Sequence, residues 1–464
     1  MMRGKCKLWL FGLTLLAGLG LAAQPAAAQE SLAIRGGLIL PMNGPPIENG
    51  IILIRHGKIE AIGKDVTIPP EVKVIDAKGK VIMPGFIEAH SSRGMDQVNE
   101  NNPNTPFLSV LDSIDPSQDY FDECRRNGVT TVAILPGHNT MFGGQGAIVK
   151  TAGPTVNEMV IKRGAGIKIS LKPTADRSRM SHLAALRKEL DAARIYLEEE
   201  KAKHSPKPTT KAAASAQEPA DDNTTVVDGF QRPQRGQRGN APRGDGGSVD
   251  AAQVRAALAS LLKGEVPAYI YCELAMDVPQ ALRLTKEYGL KTILVLDKDC
   301  YKAAKLVAAS GLPVILEPTL VFWDTNPRTG EDEQINLVEI YRSEKVPFHV
   351  QATGFSSGNL FRQPNLPPTL GTNYLWYQAA TLVKYGTPVH EALKLITSGA
   401  AQTIGVDKIV GTLEKGKDAD LIILTGDPLK IDTWVDKTII NGSVVYDREQ
   451  DRKLKQLLQS DAKK

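Results

Sequence analysis

The stretch from Val81 to Ser92 carries side chains that could do chemistry. It reads VIMPGFIEAHSS, two short apolar runs separated by a Pro-Gly step, and such punctuation is typical of strands. Because side chains alternate along a strand, Glu88, His90 and Ser92 are expected to share one face with Phe86. A neutral imidazole there could bind a divalent metal, which lowers the pKa of bound water to near neutrality and supplies hydroxide.

The same stretch resembles the first barrel strand of the amidohydrolase superfamily, Pro-Gly-(Leu/Phe)-Ile-(Asp/Glu)-Ala-His-x-His. Gly411–Leu421, reading GTLEKGKDADL, is similar to the superfamily's closing segment, Gly-x-Leu-x-x-Gly-x-x-Ala-Asp-Leu. Asp115–Asp119, Gly128–Val132 and Gly143–Lys150 look like an exported, imidazolonepropionase-like subgroup. The resemblance implies an α/β protein, a (β/α)8 TIM barrel with a composite β-sandwich formed by both termini. It also implies a metal-dependent hydrolase of C–N bonds in non-peptide, cyclic or small amides.

Other residues occupy most of the metal-ligand positions that the resemblance implies. Ser92 stands where the second histidine of strand one belongs, and Tyr271 stands where strand five should end in histidine. The strand-six histidine would fall near Lys298, and strand eight offers His349 and Gln351 in place of aspartate. The sequence therefore predicts that the divalent metal implied by the family, zinc, is absent or weakly bound.

Several polar side chains at strand ends could still line a pocket or rebuild a site. His90 and His138 are the two candidate metal ligands, although a lone histidine at a strand end is more often a hydrogen-bonded pocket residue. Lys168 or Lys150 could be the carboxylated lysine that bridges metals in the family. No catalytic residue is identified. The pocket candidates are His90, Ser92, His138, Tyr271, Glu273, His349 and Gln351.

The middle of the chain alternates strand-like and helix-like runs, the pattern of a parallel sheet covered by helices. The eight predicted barrel strands are Phe86–His90, Val129–Leu135, Ala147–Lys150, Gly166–Leu171, Ala268–Cys272, Thr292–Leu296, Val314–Glu317 and Phe348–Ala352. Both ends of the chain carry hairpin signals such as Asn441-Gly442, and neither end is long enough to bury a core alone. The predicted division is a signal peptide at 1–28, sandwich parts at 29–84 and 399–450, a barrel at 85–398 with a disordered insertion at 201–247, and a charged tail at 451–464.

The net charge and the N-terminal residues of the chain indicate the cellular compartment and the kinds of partner to expect. Arg3, Lys5 and Lys7 precede an apolar run that ends in small residues at Ala26–Ala28, which predicts a signal peptide and an exported, periplasmic or secreted protein. The formal net charge is +4, and without those three cations +1 remains. A near-neutral balance predicts no nucleic-acid partner. No transmembrane segment is expected in the mature chain, a small-molecule ligand is expected, and a homodimer is compatible with the sequence.

Two functions stay open at this point. One is a C–N hydrolase with an altered ligand set, and the other is a catalytically inactive, metal-free relative that keeps a binding pocket or an interaction surface. Fold alone cannot choose between them, because function resides in the site.

Overall fold

The computed structural model describes residues 31–204, 251–326, 328–352 and 374–461. The predicted signal peptide at 1–28 and residues 205–247 of the predicted insertion lie outside the described residues. The first residues of that insertion, 201–204, form the last turn of a long helix. Within the described ranges, no helix is both long and apolar enough to cross a bilayer.

The strands of the described residues form two large sheets and one hairpin. In chain order they are β1 (Leu32–Ile39), β2 (Ile47–Arg55), β3 (Lys58–Gly63), β4 (Lys73–Asp76), β5 (Val81–Pro84), β6 (Phe86–Ser91), β7 (Val129–Ile134), β8 (Phe142–Lys150), β9 (Val160–Ser170), β10 (Ala268–Cys272), β11 (Thr292–Leu296), β12 (Val314–Leu316), β13 (Val321–Thr325), β14 (Asp332–Asn336), β15 (Phe348–Val350), β16 (Leu421–Leu424), β17 (Val435–Ile440) and β18 (Ser443–Asp447).

The first large sheet is a nearly closed barrel of eight strands in the order β15-β12-β11-β10-β9-β8-β7-β6. All eight predicted barrel strands are confirmed as members of this sheet. Its interior is packed with apolar and aromatic side chains such as Ile87, Tyr269, Tyr271 and Val295. β6 and β15 close toward each other through side chains, since the Glu88 carboxylate accepts the Ala352 N–H at 3.1 Å.

One strand runs against the expected direction. β8 pairs antiparallel with both β7 and β9, whereas the other seven strands of the barrel sheet run in one direction. The expectation of eight parallel strands is therefore wrong at β8. The cause is the length of the connections, because a parallel crossover needs about a dozen residues or more, and only residues 135–141 and 151–159 flank β8.

Most helices of the described residues cover the outside of the barrel. They are α1 (Asp119–Arg126), α2 (Val156–Met159), α3 (Arg179–His204), α4 (Ala251–Leu262), α5 (Val278–Tyr288), α6 (Ala304–Ser310), α7 (Leu337–Ser343), α8 (Leu375–Lys384), α9 (Val389–Leu395), α10 (Ser398–Ile404) and α11 (Arg452–Asp461). The expected helix-like runs between the strands are present, for example as α3 and α5. Phe121 of α1 and Leu258 of α4 belong to the main core between the helices and the barrel.

The second large sheet joins both ends of the chain in the order β18-β17-β16-β5-β1-β2-β3, with β4 beside β1. β16 pairs antiparallel with β5, from Leu421 opposite Pro84 to Leu424 opposite Val81. The predicted pairing of the two ends is thus present as one mixed sheet. The arrangement of that sheet as a β-sandwich stays a prediction.

The stretch from Val81 to Ser92 connects the two sheets. Its first half is β5 of the end sheet and its second half is β6 of the barrel. Gly85 lies at the change of sheet, where a Cβ would come within 2.2 Å of the Thr130 side chain. The predicted Pro-Gly break therefore marks the point where the chain passes between sheets, and the close approach explains the glycine.

A buried ion cluster fixes the barrel to the end sheet. The Lys150 ammonium, at the end of β8, lies 2.6 Å from an Asp418 oxygen and 2.9 Å from an Asp420 oxygen. It also donates to the Asn441 side-chain oxygen, and the Asn441 N–H donates to Asp420 at 2.8 Å. The Asp-Ala-Asp of the closing segment and the Asn-Gly turn thus meet one barrel lysine.

Candidate barrel site

The polar residues of the barrel interior gather around Lys168. This lysine lies in the middle of β9, opposite Tyr269 of β10, and its side chain is fully buried. Its Nζ lies 2.7 Å from Nε2 of His90 and 5.6 Å from the centre of the Tyr271 ring. Burial lowers the pKa of Lys168 to about 7, while Glu317 partly opposes that shift. Desolvation disfavours the ammonium of a buried lysine, so Lys168 loses its charge more readily than an exposed lysine does.

His90 is held on both sides of its ring. Its Nδ1 lies 2.8 Å from the Gln351 side-chain oxygen, so Nδ1–H donates to that oxygen and Nε2 accepts from the Lys168 amine. Burial, followed by the nearby Lys168 and His138, lowers the pKa of His90 well below its usual range. The imidazole is therefore neutral, and both of its nitrogens are engaged by protein groups.

An irregularity in β6 turns His90 inward. The pairing of β6 with β7 shifts register between Glu88 and Ser91, as a β-bulge does. His90 faces Lys168 inside the barrel, whereas Glu88 and Phe86 line a cavity outside it with Tyr120 of α1. The expectation that Glu88 shares the face of His90 is therefore wrong. Burial raises the pKa of Glu88 to about 8.

His138 and Tyr271 form a second group beside the lysine. Their rings stack with centroids 3.7 Å apart, and the His138 ring lies parallel to His90 at 5.7 Å. His138 Nε2 is 3.2 Å from a Glu317 oxygen, and burial lowers the pKa of His138 well below its usual range. The Tyr271 hydroxyl donates to Asp297 at 2.8 Å, and burial together with that carboxylate raises the pKa of Tyr271.

The other three pocket candidates are Glu273, His349 and Ser92. Glu273 is paired with Arg179 at 2.9 Å and Lys172 at 3.1 Å, so it belongs to an ion cluster beyond β10. His349 donates through Nδ1 to the Leu395 carbonyl at 3.2 Å and accepts from the Thr403 hydroxyl at 2.6 Å. His349 thus joins β15 to the helices that follow. Ser92 is buried directly after β6, and its hydroxyl has no hydrogen-bond partner in the described part of the chain.

The residues in these positions do not fit a zinc ion. A zinc site needs three or four imidazole, thiolate or carboxylate ligands converging on one point. Among the described residues, no group of three or more such side chains is placed to hold a metal. The Lys168 amine also occupies the hydrogen-bonding direction of His90 Nε2, the atom that would face a metal.

The sequence pattern did not single out Lys168, Glu317 and Asp297 as a connected group. A usable signal was present, since Lys168 is the one charged residue in Gly166–Ser170, an otherwise buried strand segment. Charged side chains are almost never fully buried without a partner. The partners themselves come from β6, β12 and the segment after β11, which only the closed sheet brings together.

Comparison with known proteins agrees with the barrel. The family model described as Amidohydrolase family matches residues 383–446. The chain is 24% identical over 425 residues to the amidohydrolase tasK of Hapsidospora irregularis, covering 86% of this chain and 40% of that protein. It is 40% identical over 67 residues to 5'-deoxyadenosine deaminase of Methanobrevibacter smithii, covering 14% and 15%. This chain thus spans less than half the length of these curated relatives.

A solved structure extends the likeness of the fold over most of the chain. The crystal structure of an amidohydrolase from Thermotoga maritima MSB8 superposes with a TM-score of 0.68 at 23% identity, covering 90% of this chain and all of that one. The fold is therefore that of the amidohydrolase barrel. Together the matches support placing the chain in the amidohydrolase superfamily, whose members include hydrolases and deaminases acting on C–N bonds.

Proposed function

We propose that this protein hydrolyses C–N bonds in small or cyclic amides without a resident metal. The observation that carries the proposal is the direct contact between Lys168 Nζ and His90 Nε2 inside the barrel. Two basic nitrogens within hydrogen-bond reach can hand a proton between them, which general acid–base catalysis requires. The proposal includes four further properties: membership of the imidazolonepropionase-like subgroup, export of the chain, binding of a small-molecule ligand and formation of a homodimer.

The chain's own residues suggest the division of labour. Gln351 accepts from His90 Nδ1 and so keeps Nε2 directed at Lys168. Lys168 takes a proton from the attacking water as the C–O bond forms and returns it to the leaving nitrogen as the C–N bond breaks, while His90 Nε2 holds the amine in place through the 2.7 Å contact. The Tyr271 ring lies beside Lys168, and because its hydroxyl donates its hydrogen bond to Asp297, we assign Tyr271 a positioning role and not that of a hydrogen-bond donor to the substrate. No step in this scheme passes through a metal.

A direct test compares turnover with metal content. Purified protein would be assayed with a cyclic imide, a lactam and an acyclic amide, before and after chelation, while elemental analysis measures bound metal. We expect turnover that survives chelation and falls about 100-fold or more in Lys168→Met and in His90→Gln, the range of a lost general base. Lys188→Met, on the exposed side of α3, is the matched control and should keep full activity. About one tightly held metal per chain, with activity lost on chelation, would refute the scheme.

The second candidate is a metal-free binding protein with no turnover. One observation favours it, namely that His90, Tyr271 and His349 each already hydrogen-bond to other protein groups. Such a satisfied network leaves few groups for a substrate. If no amide in the panel is turned over while a small molecule still raises the melting temperature by binding the folded state, this candidate replaces the first.

A further inference from the structure

A cavity of about 620 Å³ lies outside the barrel, between β6, α1, the start of α8 and the C-terminal elements. Its volume falls within the range of small-molecule sites. Phe86, Val129 and Leu424 belong to its inner wall, and Trp376 covers one side. The barrel site around Lys168 contributes none of the lining residues, so this cavity is a separate place on the molecule.

The mouth of the cavity exposes large apolar side chains. Ile431 is 87% exposed, Trp434 54% and Leu457 64%, although all three line the same opening. They come from the turn between β16 and β17 and from α11. Clusters of exposed apolar residues around a cavity mark a site where something apolar is bound.

The charged side chains that line the cavity leave a net positive charge at its mouth. Arg93 is paired with Glu123 at 3.0 Å, and Arg126 with Asp451 at 2.8 Å. Arg448 instead lies over the Trp434 ring, 4.6 Å from its centre.

The cavity lining also holds a second cation, Lys453, and one further carboxyl, Glu88. Lys453 is paired with Asp119 at 3.6 Å, with both side chains exposed. On the barrel side, Glu88 is 2% exposed and accepts the Ala352 N–H. The C-terminal side of the mouth therefore combines an aromatic, apolar surface with Arg448, which lies on an aromatic ring, and with Lys453, whose ion pair is long and exposed and therefore weak.

We propose that this cavity binds an amphipathic anion, with its apolar chain against Trp376 and Trp434 and its carboxylate or phosphate head at Arg448 and Lys453. The hydrophobic effect favours burial of the apolar chain against these walls. A charge-assisted hydrogen bond from an arginine orients the anionic head. An organic cation is the wrong partner, because its charge would meet Arg448 and Lys453. The ligand is either a free fatty acid or the headgroup end of an anionic lipid.

The binding experiment uses dodecanoate as the probe, below its micelle concentration, on the full-length protein. Calorimetry measures stoichiometry and affinity, and tryptophan fluorescence reports on Trp376 and Trp434 in a background that carries Trp9→Phe and Trp323→Phe. One saturable site is expected, with dodecanol and dodecyltrimethylammonium binding at least about tenfold more weakly. Cosedimentation with phosphatidylglycerol vesicles tests the lipid source. Binding to vesicles without saturable dodecanoate binding would overturn the cavity in favour of a membrane-docking face.

Variants then locate the site. Arg448→Gln and Lys453→Gln should each weaken dodecanoate about tenfold, the fold-change that corresponds to one hydrogen bond to a charged group. Trp434→Ala should weaken it at least as much. Trp323→Ala, on the exposed face of β13, is the matched control and should bind normally, while melting temperatures show that each variant is folded. Equal affinity for dodecanol and dodecanoate, or unchanged binding in all three cavity variants, would refute the proposal.

Discussion

Two buried lysines on neighbouring strands of one barrel have opposite surroundings. Lys150 of β8 is 4% exposed and Lys168 of β9 is fully buried, so burial does not distinguish them. Lys150 meets two carboxylates and an amide oxygen. Lys168 meets an imidazole and the face of a tyrosine. The first arrangement compensates a charge, while the second leaves an amine whose pKa burial lowers to about 7.

The comparison shows which of the two lysine environments the matched family model covers. The family model matches residues 383–446, a range that contains Asp418, Asp420 and Asn441 but none of the residues around Lys168. The recognisable closing segment is therefore the part that holds the end sheet to the barrel. A motif can persist for closure of the fold while the site inside the barrel follows other chemistry.

The largest expected effect comes from removing every partner of Lys150 at once. Truncation after Thr403 deletes β16 to β18, so β5 loses its antiparallel neighbour and the Lys150 ammonium is left without its carboxylates. We expect insoluble protein, measured as the soluble fraction after expression. Removal of residues 452–464, which keeps every strand, is the control and should fold. If the chain truncated after Thr403 still unfolded cooperatively in urea, the end sheet would be dispensable for folding.

Lys150→Met tests the ion cluster alone. It leaves Asp420 buried without a cation and Asp418 with only the exposed Lys58, and breaking a buried pair in this way costs about 3–5 kcal/mol of unfolding free energy. Urea denaturation measures the change. Lys58→Met removes the exposed partner of Asp418, at 2.7 Å with a lysine that is 58% exposed, and should cost under about 1 kcal/mol. Equal losses of unfolding free energy in Lys150→Met and Lys58→Met would contradict the inference that burial makes the Lys150 contacts the stronger ones.

Lys168→Met should do far less to stability than Lys150→Met. The methionine is apolar and of similar length, so the barrel interior keeps its packing, and the losses are the hydrogen bond to His90 and the weaker interactions with the Tyr271 ring and Glu317. We expect the unfolding free energy to fall by no more than about 2 kcal/mol, again by urea denaturation. A loss as large as that of Lys150→Met would mean that both lysines are structural, and the acid–base role of Lys168 would lose its basis.

The smallest effect is expected at the tyrosine beside Lys168. Tyr271→Phe deletes the hydroxyl that donates to Asp297 but keeps the stacking on His138, so a loss of about 1 kcal/mol is expected. Tyr269→Phe is the matched change, because that buried hydroxyl has no hydrogen-bond partner among the described residues. It should be neutral or slightly stabilising in thermal unfolding. If Tyr269→Phe lost more unfolding free energy than Tyr271→Phe, the assignment of the stabilising hydroxyl to Tyr271 would be wrong.

Local patterns predicted much of the fold. The eight barrel strands are runs of apolar residues bounded by turns, and each is present in the barrel sheet. The closing segment and the Asn441-Gly442 turn predicted that the two ends would pair, as β16 and β5 do. These features depend on residues that are close in sequence, which is why one chain was enough to find them.

The sequence alone determined which segments are strands and where the chain turns. Only the tertiary structure decided that β8 runs antiparallel, that a bulge turns Glu88 away from His90, and that Lys168 meets an imidazole while Lys150 meets carboxylates. Strand direction and register depend on the neighbouring strand, and the charge state of a buried amine depends on groups more than 70 positions away in the chain. No local pattern contains that information, because the closed sheet creates those contacts.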